Sequence, residues 1–182
     1  DCGGGSIKNA GDNASEYVLS MGKRRVNLLI LTHYHSDHVN GALQLMQRTD
    51  VETLIVPDIP DPDGIKDTIL KLAKDRGVDV ISIGNDTKTV KVGHMDFSIY
   101  PPLGARDENE LGLCIKCSAC GFDMLITGDV NSETEYRLLE YTDIPDLDLL
   151  IAGHHGSGNS TSEELLEASR PEIAIISTGY NT

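Results

Sequence analysis

Three apolar runs of strand length end in side chains that can bind a cation, and this pattern constrains the fold more than any other feature. Val26–Leu31 leads into Thr32-His33-Tyr34-His35-Ser36-Asp37-His38. Met124-Leu125-Ile126-Thr127 leads into Gly128-Asp129, and Leu149-Leu150-Ile151-Ala152 into Gly153-His154-His155-Gly156-Ser157. Continuous apolar runs of this length read as buried strands. Sites in open α/β sheets gather at the carboxyl ends of such strands, because the loops that follow are free to vary there.

The rest of the chain alternates between helical and extended patterns. A helix is expected over Val39 to Arg48, a strand over Val51–Val56 closed by Pro57, and an acidic loop over Asp58–Gly64. Ile65, Ile69, Leu72, Ala73 and Arg76 form one helical stripe ending near Gly77, before a strand over Val78–Ile83. Thr87–Val92 and Met95–Tyr100 predict a hairpin about Gly93-His94. Leu111, Leu113, Ile115, Cys117 and Ala119 alternate as in a half-buried strand, and Gly121 turns the chain into Asp123–Thr127. Ser132 and Glu135 fit a capping box opening a helix that carries Tyr136 and Leu139. A strand over Leu147–Ala152, a helix over Glu163–Arg170 and a strand over Ile173–Ser177 complete an α/β chain. Residues 1–182 are expected to form one domain. Asp1 opens directly in a turn and Thr182 closely follows a strand, so this domain is expected to be a fragment of a longer protein, truncated at both ends.

Charge limits the partners. Twenty-nine acidic against 15 basic residues give a net charge of −14, which works against a large phosphate-binding footprint. Aromatic residues are 4% of the chain, with no Trp, so platforms for stacking bases are few. A bound divalent ion reverses the local field of an acidic cleft, so a small metal site acting on a phosphate is compatible with this charge. No stretch approaches the ~20 apolar residues of a membrane helix.

His33, His35 and His38 are half of the six histidines, and they fall with Asp37 within six positions. If the loop is extended, His33, His35 and Asp37 share one side and His38 comes round as the next helix starts. Imidazole nitrogens and a carboxylate in one small volume suit Zn²⁺ or a similar borderline metal. Asp129 and the His154–His155 pair supply enough further donors for two ions.

His33, His35, Asp37 and His38 match the HxHxDH signature, and on it the chain resembles the metallo-β-lactamase fold hydrolases. Asp1-Cys2-Gly3 is similar to that family's opening turn. Glu108-Asn109, Leu113-Cys114-Ile115, Leu125-Ile126-Thr127-Gly128-Asp129 and Gly153-His154-His155-Gly156-Ser157 most resemble the C-terminal domain of the ComEC competence family. The resemblance implies a four-layer αββα sandwich with one or two divalent ions, Zn²⁺ or Mn²⁺. It assigns His33 and His35 to one ion, Asp37, His38 and His155 to the other, and Asp129 as the bridge. It leaves open whether His154 or His155 is the ligand; with His155 as ligand, His154 contacts the substrate phosphate or protonates the leaving group, and Asp37 serves the reaction as well as the metal. The family usually has a further histidine between the first cluster and the bridging aspartate. Here only His94 lies in that interval, in a hairpin turn, and the matching segment carries Glu108 and Asn109.

The function the resemblance implies is phosphodiester hydrolysis of DNA through a metal-bound hydroxide, in DNA uptake, on the outer side of a bacterial membrane to which the domain is tethered. Two other readings remain: hydrolysis of a small ester, lactone or phosphorylcholine group, which the acidic composition favours, and a non-catalytic module with a degenerate site. The Cys114, Cys117 and Cys120 spacing is similar to an iron–sulfur run. On an extended strand, however, Cys114 and Cys120 face opposite to Cys117 and cannot share an ion with it.

Overall fold

The structure is a computed structural model, and it describes residues 10–61, 63–104 and 110–178. Helices and strands are mixed throughout, as the sequence predicts, and the chain divides into two compact units, Asp1–Ser82 and Ile83–Thr182.

The first unit contains α1 (Ala10–Ser20), β1 (Arg25–Ile30), α2 (Ser36–Val39), α3 (Ala42–Arg48), β2 (Asp50–Pro57), α4 (Ile65–Asp75) and β3 (Asp79–Ile83), whose last residue crosses the boundary. The strands lie in the order β1-β2-β3. β1 and β2 are parallel, with Arg25 opposite Asp50 and Ile30 opposite Ile55, which is why helices must carry the chain back between them. Val39, Ala42, Leu45, Met46, Leu54, Ile55, Ile69 and Ala73 are buried. The α4 stripe thus faces inward at Ile69 and Ala73 as its periodicity predicts.

Two features of this unit depart from the sequence reading. α1 is a helix that the apolar pattern did not announce. It packs on α3 through a close approach of glycines, where a Cβ on Gly11 would sit 2.0 Å from the Gly41 carbonyl oxygen. Asp12 then accepts from Arg48 at 2.5 Å and from Gln44 at 3.1 Å. The helix expected over Val39–Arg48 is two helices, beginning at Ser36 and interrupted at Asn40-Gly41, the point against which Gly11 rests.

The second unit contains β4 (Lys88–Val92), β5 (Met95–Tyr100), β6 (Cys114–Ala119), β7 (Phe122–Ile126), α5 (Ser132–Tyr141), β8 (Leu149–Ile151), α6 (Glu163–Ser169) and β9 (Ile173–Ile175). Its strands lie in sequence order, antiparallel from β4 to β7 and parallel from β7 to β9. Two-residue loops join β4 to β5 and β6 to β7: Gly93 at φ 61° beside His94, and Cys120 at φ 53° with Gly121 at φ 83°. Such left-handed loops match the strand twist. Tyr100, Cys114, Leu125, Val130, Leu138, Leu147, Leu150 and Leu165 form one core cluster, so α5 and α6 each fix a leucine against the sheet.

Cys120 is therefore a turn residue rather than the end of an alternating strand, and β6 begins at Cys114, not Leu111. Cys114 and Cys117 are buried free thiols. The capping box is also replaced. Asn131 caps α5 by accepting from the Thr134 N–H at 3.0 Å, and Ser132 is already helical. Glu135 turns its carboxylate elsewhere.

Candidate metal centre

In the first unit the site grows out of the end of β1. The Leu31 N–H donates to the Ile55 carbonyl, and pairing stops there. Thr32 to His35 belong to neither helix nor strand, with His35 extended at φ −59° and ψ 145°, and α2 starts at Ser36 with the His38 and Val39 N–H groups returning to the His35 carbonyl. The expected side-sharing of His33, His35 and Asp37 is thereby modified: the two histidines precede the helix, whereas Asp37 and His38 lie in its first turn. The ring centroids of His33 and His35 are 4.9 Å apart, and those of His33 and His38 4.0 Å. His38 Nε2 is 3.6 Å from Asp37 Oδ2. His33 and His38 are buried, while the Asp37 side chain is 55% exposed and so open to solvent.

Between them Tyr34 points the other way. It is buried, donates its hydroxyl to the Pro57 carbonyl at 2.9 Å, and has the Lys66 ammonium 5.5 Å from its ring centre. Burial, then the charges of Asp61 and Asp58, push its hydroxyl above the ordinary tyrosine range, so it remains a donor. This anchor ties the histidine loop to the end of β2.

In the second unit β7 ends at Ile126, and Thr127-Gly128-Asp129 turns outward with Gly128 at φ 61°. β8 ends beside it, and a tight 3₁₀ turn over Gly153–Gly156 follows. The His154 N–H donates to the Gly128 carbonyl at 2.9 Å, joining the two strand-end turns. Asp129 is buried, with Oδ2 3.7 Å from His154 Nε2 and 3.9 Å from His155 Nε2. His155 Nδ1 is 2.8 Å from the Ser177 carbonyl. A carbonyl only accepts, so that nitrogen carries the proton and Nε2 keeps its lone pair for a metal. Beneath Asp129, Cys114 donates to the Thr127 carbonyl, and burial followed by the charge of Glu135 pushes its thiol up to about 12. This thiol is inert rather than a metal ligand.

The predicted site residues thus fall into two donor sets, His33, His35, Asp37 and His38 in one unit and Asp129, His154 and His155 in the other. Within each set, imidazole nitrogens and carboxylate oxygens are drawn together on buried or half-buried positions, a donor chemistry that fits Zn²⁺ or Mn²⁺. His94 is exposed in the β4–β5 turn, as expected of a loop residue. Asp1-Cys2-Gly3, Glu108 and Asn109 lie outside the described residues. Sequence reasoning missed the supports: the Tyr34 anchor, the Ser177 carbonyl and the Glu135 carboxylate. Backbone carbonyls leave no trace in a sequence, and Glu135 was disguised by its spacing from Ser132.

Residues 1–180 match the Metallo-beta-lactamase superfamily. The chain is 28% identical over 169 residues to ComE operon protein 3 of Bacillus subtilis, covering 91% of this chain and 21% of that protein. It is 27% identical over 162 residues to Competence protein ComA of Neisseria gonorrhoeae, covering 87% and 21%. The chain thus spans about a fifth of the length of these relatives. Among solved structures it is similar to CmlA, a diiron beta-hydroxylase from Streptomyces venezuelae, with a TM-score of 0.58 at 17% identity over 83% of this chain and 35% of that one. The metallo-beta-lactamase fold protein YhfI from Bacillus subtilis gives a TM-score of 0.50 at 18% identity over 84% and 56%. At such identities the structures speak for the fold alone. The sequence match runs through both units, and from it the conclusion follows that the chain belongs to the metallo-beta-lactamase superfamily, a fold of metal-dependent hydrolases, with competence proteins among its relatives.

Proposed function

We propose that the chain is a metal-dependent phosphodiesterase that cleaves DNA in the course of DNA uptake. The observation that carries this reading is the joint presence of two N/O donor sets at strand ends and of competence proteins that match nearly the whole chain. His33 and His35 would hold a divalent ion through their imidazole nitrogens. Asp37 and His38 would add a carboxylate and an imidazole in the first unit, and Asp129 and His155 would offer a carboxylate oxygen and Nε2 in the second. A divalent ion bound there makes a water acidic, to a pKa of about 7 in the zinc case, and offsets charge growing on phosphoryl oxygens. The protein's own groups do the rest. Asp37 takes the proton of the attacking water on its exposed carboxylate, and His154 gives one from Nε2 to the leaving oxygen. Ser177 keeps His155 in the tautomer that binds metal.

The domain works at the outer face of a bacterial membrane, tethered by segments of a longer protein; no described helix is itself long and apolar enough to cross one. The net charge of −14 favours a second reading, hydrolysis of a small ester, lactone or phosphorylcholine group. The deciding experiment measures bound metal and hydrolysis of linear DNA, a chromogenic phosphodiester and small esters at two salt concentrations, for the parent and for Asp37→Ala. DNA and phosphodiester turnover by the parent, falling ~10²–10⁴-fold in the folded variant, is expected. A metal-loaded parent inert towards both overturns the nuclease reading. Turnover of the small ester alone establishes the second.

A further inference from the structure

Of the five non-glycine residues with left-handed backbone among those described, three lie in one short stretch: His154 at φ 46°, His155 at φ 54° and Thr161 at φ 58°. A left-handed conformation is costly for ordinary residues and a genuine outlier for a β-branched one, so it persists only where surrounding structure over-determines it. The support here converges on Glu135, which is fully buried on α5. One carboxylate oxygen accepts from the Thr161 N–H and the other from the Ser162 N–H, each at 2.7 Å. Thr161 in turn uses its hydroxyl to accept from the Gly153 N–H at 2.9 Å, immediately before the histidine pair. Ser160 closes the arrangement by donating to the Val130 carbonyl at 2.8 Å, next to Asp129. A Cβ on Gly153 would lie 3.0 Å from the Thr127 hydroxyl oxygen and 3.5 Å from the Glu135 carboxylate, so the histidine turn rests directly on this assembly.

We infer that Glu135 is a positioning residue, acting through Thr161 to hold the His154–His155 turn in the left-handed geometry that turns both imidazoles towards Asp129. The inference rests on the reading of that turn as part of the metal site, and it adds a function to a buried acid that neither coordinates metal nor touches substrate. It also explains a threonine where glycine would be free of strain: the hydroxyl is required by the Gly153 N–H. Neither link of the chain is replaceable by shape alone, since the carboxylate must offer two acceptors and the hydroxyl one.

The test compares Glu135→Ala, Thr161→Val and Thr161→Ser with the parent. It reads Zn²⁺ affinity by chelator competition, hydrogen exchange at the Gly153 and His154 amides, and global stability by urea unfolding. Loss of such outer supports typically weakens metal binding ~10–100-fold. Glu135→Ala and Thr161→Val are expected in that range, with faster exchange confined to the turn. Thr161→Ser keeps the hydroxyl and is expected to bind Zn²⁺ as the parent does. Thr161→Val removes one hydroxyl at nearly constant shape, so it carries the comparison if Glu135→Ala fails to fold. Equal Zn²⁺ affinity and equal Gly153 protection in Thr161→Val and Thr161→Ser overturn the inference. A parent that binds Zn²⁺ but leaves DNA intact overturns the nuclease reading and leaves this one standing; a parent with affinity for neither Zn²⁺ nor Mn²⁺ overturns both.

Discussion

The histidine loop of the first unit and the histidine turn of the second reach the same kind of donor geometry by opposite means. From Leu31 to Val39 the donors are near neighbours in sequence, and a loop feeding a helical turn suffices to bring their rings within 4.0 and 4.9 Å of one another. The Tyr34 hydroxyl pins this loop to the Pro57 carbonyl, and the Thr32 hydroxyl lies 3.1 Å from His33 Nδ1. From Gly153 to Ser162 the donors must meet an aspartate some 25 positions earlier in the sequence, and the backbone adopts left-handed conformations to do so. That strain is sustained by Glu135, Thr161 and Ser160, none of which faces Asp129 as a donor. The local set draws its donors from neighbours in sequence, while the assembled set is braced by buried polar groups from distant stretches.

Substitutions that leave every donor in place should still separate the two regions. Gly153→Ala is expected to have the largest effect. The added methyl meets the Thr127 hydroxyl oxygen at 3.0 Å and the Ser160 Cβ at 3.1 Å. Overpacking of this kind costs about 1–3 kcal/mol, read by urea unfolding, and faster exchange should appear at His154. Tyr34→Phe should cost roughly 1–1.5 kcal/mol through the lost hydrogen bond to Pro57, with metal affinity reduced less than by Thr161→Val. A larger loss of affinity in Tyr34→Phe would break the contrast, because the local loop would then depend on distant support as heavily as the assembled turn does. His94→Ala should be smallest, within about 0.5 kcal/mol in stability and without change in metal affinity, as befits an exposed turn residue. Lost affinity there would add His94 to the ligand set.

The elements most readily foreseen from sequence were those with a strong period and local punctuation. The α4 stripe buries Ile69 and Ala73 as its spacing requires, and the Gly93-His94 hairpin pairs Val92 with Met95. α1 escaped because its stabilisation comes from contact rather than pattern: two glycines allow the approach to α3, and Asp12 is held by side chains more than 30 positions away. Glu135 was misread for a related reason. Three residues after Ser132 is the spacing of a local cap, and no local rule could tell that Asn131 caps the helix while Glu135 turns to Thr161 and Ser162.

The amino-acid order alone therefore determined the identity of the donors and their attachment to strand ends, since apolar runs that bury themselves necessarily deliver the next few residues to a sheet edge. Tertiary structure decided which nitrogen of His155 carries its proton, how the His154–His155 backbone turns and what braces it. Those depend on a carbonyl at Ser177 and a carboxylate at Glu135, and hydrogen bonds formed across long loops have no periodicity by which a sequence could announce them.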